Sequence, residues 1–228
     1  MVYKLYDLTP EEIKSVKVKN QWKVEDGMNA LLDQTFLHGV DLSDWLPCHN
    51  LRLCNFLSSP NSTDFNANKS RQHNPITNGT IDELRRRVVP SGFLQPRFAK
   101  IVNNNSLWNL EIDVEETRRK YNPKAPSRLS CLYLSENSEK GRAMIKNMFP
   151  QYKAFTVKIT HLNSIHLADI NWFDEFIISR NLDLLRKYWA GEPSKKPRWE
   201  FLLDGRIEFI DKDELDIIRQ YGAVLPGV

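Results

Sequence analysis

Glu200 heads the run Trp199-Glu200-Phe201-Leu202-Leu203, which sets a single carboxylate at the start of an apolar, strand-like segment. A carboxylate fixed there can stabilise a cation developing beside it, as in the cleavage of a glycosidic bond. A second group lies in Arg128-Leu129-Ser130-Cys131-Leu132-Tyr133. In a strand, alternate residues share a face, so Arg128 and Ser130 are expected to point the same way. Tyr133, in mid-run, offers an aromatic face to a cationic ring. The remaining candidates are basic: Arg85, Arg86 and Arg87 in one cluster and Arg118, Arg119 and Lys120 in another. From residue 84 to residue 128, ten Lys or Arg stand against four Asp or Glu, in a chain whose net charge is only +3. Such a stretch attracts phosphates through counterion release, and Phe93, Phe98, Trp108 and Tyr121 interleave stacking rings with it. The expectation is a surface that binds single-stranded nucleic acid, with Arg85, Arg86 and Arg87 as substrate-binding residues. The competing expectation is a solvated basic face.

Other chemistries lose their usual markers. The sequence contains no glycine-rich phosphate loop, no HExxH and no GxSxG. Cys48, Cys54 and Cys131 are odd in number and have no paired spacing, so neither a disulfide framework nor a metal site is expected. With 41% hydrophobic and 27% charged residues, the 228-residue chain has the composition of one folded α+β domain spanning 1–228. Residues 1–14 lack the basic-then-apolar order of a signal peptide, and no apolar run reaches bilayer length. The expected location is therefore cytoplasmic, without a membrane partner.

Several elements must position these groups. Residues 2–8 suit a strand, and Thr9-Pro10-Glu11-Glu12 opens a helix. A second helix is expected over 28–36, ending near Gly39; a polar loop over 58–79; a helix over 81–88; and a strand over 93–102. After the break at Asn122-Pro123-Lys124-Ala125-Pro126 come a strand at 130–135 and a helix capped at Asn137-Ser138 that runs to Met148. The strand at 154–160 alternates cleanly, and 172–189 has helical spacing. Asp204-Gly205 between apolar runs predicts a hairpin, and a helix over Lys212–Tyr221 should stop at Gly222.

Two of these segments carry a family resemblance. The aromatic in the strand at 130–135, followed by a polar turn and a helix with a small residue at Ala143, resembles the second strand and helix of the ADP-ribosyltransferase superfamily. The run from Trp199 to Ile210 resembles the strand on which those enzymes carry their catalytic glutamate, and is similar to that of RES-type NAD-degrading toxins and of toxins that modify nucleic acid. The resemblance covers residues 125–211 and implies a split β-sandwich with flanking helices, into which residues 40–125 are inserted as a helical and loop region. It implies NAD as co-substrate and no metal. Glu200 would be the catalytic residue that holds the nicotinamide ribose, Tyr133 would stack on the nicotinamide, and Arg128, Ser130 and Lys4 would bind the rest of NAD. The family's first strand usually supplies a His or Arg for that grip, whereas residues 2–6 offer only Lys4 and two tyrosines. The activity implied is transfer of ADP-ribose to a macromolecule, a nucleic acid before a protein, by a toxin of a toxin-antitoxin or antiphage system that needs a neutralising partner. An NAD glycohydrolase is the enzymatic alternative; a non-enzymatic nucleic-acid-binding module is the alternative of another class.

Overall fold

The computed structural model describes residues 31–60, 75–89, 94, 98, 101–148 and 151–224. The chain divides into two compact units, Met1–Gln34 and Thr35–Val228. Of the first, only residues 31–34 are described, and they close a helical turn. Lys4, the strand expected at 2–8 and the helix expected after Thr9 lie outside the described residues.

In the second unit the described elements are β1 (Thr35–Asp41), α1 (Trp45–Leu53), β2 (Phe56–Ser58), α2 (Pro75–Asn78), α3 (Ile81–Arg85), α4 (Asn105–Tyr121), β3 (Leu132–Glu136), α5 (Glu139–Met148), β4 (Tyr152–Asp169), α6 (Ile170–Ser179), α7 (Leu182–Ala190), β5 (Trp199–Phe209) and α8 (Lys212–Tyr221). This is an α+β arrangement in which the described strands form one antiparallel sheet, ordered β2-β5-β3-β1-β4, with β4 also paired to β5. The circuit β1-β3-β5-β4 therefore closes on itself. The join between β1 and β3 is short, its register running only from Phe36↔Glu136 to His38↔Leu134. Beyond His38, β1 stays with β4 as far as Asp41↔Tyr152, while β3 stays with β5 from Leu134↔Phe201 to Leu132↔Leu203. A seam opens where the two strands part.

Two apolar clusters flank this frame. One packs Val114, Ala168, Phe173, Tyr188, Trp189 and Leu202 together, and the other gathers Ile76, Leu84, Phe98, Trp108, Ile112 and Leu129. Close-packed burial of this kind is the main favourable term in folding. Phe98 and Trp108, expected on a recognition surface, are core residues here, and Trp108 donates its indole N–H to the Leu84 carbonyl at 2.9 Å.

The helix α2 falls inside the loop expected over 58–79, and at four further elements the sequence expectation fails for a physical reason. Thr35–Asp41 is a strand rather than the end of a helix, because Phe36, Leu37 and Val40 are buried and the strand is paired on both edges. Phe98 and Ile101 are helical rather than extended, with Phe98 buried in the second cluster. Strand β3 starts at Leu132, so Arg128 and Ser130 occupy a turn and the alternation argument for them does not hold. Asp204-Gly205 makes no hairpin: β5 runs straight through it. A Cβ on Gly205 would lie 2.1 Å from the His161 carbonyl oxygen, so glycine is there for a close approach to the bulged part of β4.

Candidate functional site

The end of β4 fixes how the chain enters β5. Asp169 is fully buried, and its carboxylate accepts from the backbone N–H groups of Asn171 (3.1 Å), Arg198 (3.0 Å) and Ser194 (2.7 Å). The incoming loop is thereby pinned at both ends, and Glu200 is delivered opposite Ala168. A second clamp holds the turn that bears Arg128. Glu115 on α4 takes Arg118 through both its oxygens (2.8 and 2.7 Å) and also Ser127 Oγ (2.8 Å), while Arg118 Nη1 donates to the Ala125 carbonyl at 2.8 Å. Arg119 donates to Glu115 at 2.8 Å and to the Ile76 carbonyl at 2.6 Å. Arg118 and Arg119 are thus spent inside the fold, and the basic surface expected of them is not formed.

Between the clamps lies a buried polar cluster. Arg128 Nη1 donates to Glu200 Oε1 at 2.9 Å and to the Tyr188 hydroxyl oxygen at 2.7 Å, and its Nε faces Glu111 Oε2 at 3.4 Å. The Tyr188 hydroxyl in turn donates to Glu200 Oε1. All four residues are buried, Glu200 being 3% exposed. The guanidinium lies over the Phe173 ring at 4.0 Å, with the rings of Tyr133 at 5.3 Å and Tyr188 at 5.5 Å. Burial works against the charge of Arg128, but Tyr133, Tyr188, Glu111 and Glu200 around it outweigh that and hold it well above its ordinary value. Burial pushes the Tyr188 phenol well up, and the neighbouring Glu200 adds to this, so its hydroxyl remains a donor.

Both contacts to Glu200 fall on Oε1. The residue also lines a cavity of about 250 Å³ at the β1–β3 seam, together with His38 and Gly39 of β1, Tyr133 and Ser135 of β3 and Met144 of α5. His38 lies at the last β1–β3 pair, and its Nδ1 is 2.9 Å from the Tyr133 carbonyl oxygen. A carbonyl only accepts, so Nδ1 carries the hydrogen. Burial lowers the His38 pKa despite that bond, and in the neutral ring Nε2 is left as an acceptor. Tyr133 keeps its own hydroxyl on the Arg128 carbonyl at 2.8 Å, which steadies the ring against the cavity.

Of the residues singled out from sequence, Glu200 and Tyr133 therefore meet at one cavity. Arg128 is turned toward Glu200, and neither it nor the buried Ser130 lines that cavity. Arg85 pairs with Asp113 (3.0 Å) and Glu116 (2.8 Å), Arg86 donates to the Asp82 carbonyl at 3.3 Å and Arg87 to Asn105. In α5 the small inward residue is Gly141, where a Cβ would lie 2.0 Å from the Glu136 carbonyl oxygen; Ala143 is exposed. Three residues of the site escaped the sequence reading: His38, Glu111 and Tyr188. Glu111 left a signal, for it shares α4 with Glu115 four residues on, amid Trp108, Ile112 and Val114. Two carboxylates on a face that apolar neighbours bury demand cationic partners.

The fold and site define an α+β protein with an antiparallel sheet, opened at one seam beside a buried Glu-Arg-Tyr cluster. The chain belongs to the family described as protein of unknown function (DUF2441), whose pattern matches residues 53–219. No curated protein matches it.

Proposed function

We propose that this protein cleaves NAD at the bond between nicotinamide and ribose and passes the ADP-ribose to an acceptor, using an ADP-ribosyltransferase-like split β-sandwich. The observation that carries the reading is the convergence of His38, Tyr133 and Glu200, from three adjacent strands, on the one cavity at the seam. In the ADP-ribosyltransferase reading, the first strand owes a His or Arg to NAD. His38, on the first of the described strands, is the residue we assign to that task in this reading.

The chemistry fits the donors present. When the C–N bond breaks, its electron pair goes to the ring nitrogen and cancels the nicotinamide charge, leaving an oxocarbenium ion on the ribose. Glu200, held by two donors on Oε1, offers Oε2 to a ribose hydroxyl or to the developing cation. The Tyr133 ring suits the cationic nicotinamide ring while it is still bonded to the ribose, and His38 Nε2 suits a sugar hydroxyl. The acceptor then attacks the ribose carbon and gives up a proton. At about 250 Å³ the cavity is smaller than the roughly 300–1,000 Å³ of sites that take whole drug-sized ligands, so it accommodates the nicotinamide and its ribose rather than the full dinucleotide. In this reading the pyrophosphate extends beyond the cavity, whose described lining residues include no Lys or Arg to meet it.

The test is incubation of the protein with NAD labelled in its adenylate part, together with RNA, DNA and protein, following label and free nicotinamide. Release of nicotinamide that falls at least about 100-fold in Glu200→Gln, as expected for losing a transition-state contact, supports the reading. Label on nucleic acid or on protein names the acceptor, and nicotinamide without label makes water the acceptor. No NAD consumption by folded protein would overturn it.

A further inference from the structure

The hydroxyl of Tyr188 is the piece of the buried cluster that the core does not need. Its ring is fully buried and packs edge-on against Trp189 at 4.9 Å and near Phe173 at 6.2 Å, contacts that a phenylalanine ring would make as well. Keeping a hydroxyl, a guanidinium and two carboxylates there costs desolvation that apolar side chains would avoid, and such clusters are concentrated at functional sites. The hydroxyl is also a hub: it accepts from Arg128 Nη1 at 2.7 Å and donates to Glu200 Oε1. Arg128 comes from the turn before β3, Tyr188 from α7 and Glu111 from α4. Three elements thus converge behind one carboxylate oxygen.

We propose that Tyr188 is a positioning residue: with Arg128, its hydroxyl holds Glu200 Oε1 so that Oε2 is presented to the cavity in a fixed orientation. This rests on the NAD-cleaving reading of the cavity. Two donors on one oxygen hold the orientation of a carboxylate more tightly than one does.

The experiment compares wild type, Tyr188→Phe and protein carrying 3-fluorotyrosine at position 188. The last keeps the hydroxyl and the shape. In Tyr188→Phe, kcat for nicotinamide release should fall about 10- to 100-fold, as for loss of a hydrogen bond to a charged group, with KM for NAD within about 3-fold. The carboxyl carbon of Glu200, followed by NMR at a single pH and assigned with Glu200→Gln, should change its signal in Tyr188→Phe, because one of the two donors on Oε1 is gone. The 3-fluorotyrosine protein should keep both values near wild type. An unchanged Glu200 carboxyl signal in Tyr188→Phe, or a loss of activity that merely follows its unfolded fraction and appears equally with 3-fluorotyrosine, would overturn the proposal. Should wild type consume no NAD, the reaction falls, and the carboxyl signal alone judges whether Tyr188 holds Glu200.

Discussion

At the scale of single residues, Arg128 decides whether the site is a site at all. Its guanidinium is shared between Glu200 at 2.9 Å and Glu111 at 3.4 Å, with the Tyr188 hydroxyl closing the cluster. Arg128→Met keeps much of the side chain's length but leaves two buried carboxylates without their cation. Breaking a buried pair from one side costs about 3–5 kcal/mol, far more than the pair is worth against an apolar replacement. Urea unfolding should register that loss, and the double change Arg128→Met with Glu200→Gln should recover part of it by removing one orphaned charge. A double variant no more stable than the single one would mean that Glu200 does not depend on Arg128 for its burial. From the sequence, Glu200 and Tyr133 were legible by type and by place in an apolar run. Arg128 was legible as a residue of interest but not in its role, because the turn at 128–130 hides the direction of its side chain. His38 was not legible, since 28–36 carries helical spacing that draws attention from the strand beginning at Thr35.

At the scale of elements, local pattern succeeded where one face of a helix or strand meets water and failed where both sides are buried. The helix Lys212–Tyr221 was read to its ends, with Asp211 capping it and Gly222 after it. The alternating segment 154–160 was read as a strand, yet β4 runs on to Asp169, and its register shifts between Ile159 and His161 and again between Leu162 and Ser164. Those bulges break the two-residue period on which the reading depends. The same bulges explain Asp204-Gly205. A turn signal is a statement about residues that tolerate unusual backbone or close approach, and here the approach is to the His161 carbonyl rather than around a bend. Gly205→Ala should cost about 2–3 kcal/mol through overpacking against backbone, read as a lower urea midpoint. A variant as stable as wild type would mean that β4 and β5 do not come this close. Because β5 carries Glu200 at one end and bonds β2 at the other, the substitution tests the strand that holds the site.

At the scale of the whole molecule, the site and the stability of the fold share a titrating neighbour. His166 on β4 faces the Tyr188 carbonyl oxygen through Nε2 at 3.2 Å and lies over the Trp189 ring at 5.5 Å. Burial pushes its pKa down to about 4, against the bond to Tyr188, which raises it. The unfolded chain holds this proton at a pKa of about 6.5, so between about 6.5 and 4 the unfolded state binds more protons than the folded one. The stability that the neutral ring contributes is complete above about pH 6.5 and is lost as pH falls toward 4, to a total of about 3 kcal/mol. Burial lowers His38 as well, and its contribution has the same sign. His166→Gln keeps an amide N–H for the Tyr188 carbonyl and removes the titration. Wild-type stability in urea should therefore drop more steeply from pH 7 to pH 4.5 than that of the variant, and the difference between the two slopes isolates His166, because the carboxylates are common to both. Equal slopes would show that the ring accepts its second proton without cost in the folded state. A steeper wild-type slope would bind acid stability to the strand-and-helix contact that seats Tyr188, so that the carboxylate of Glu200 loses its hub in the pH range where the fold itself begins to yield.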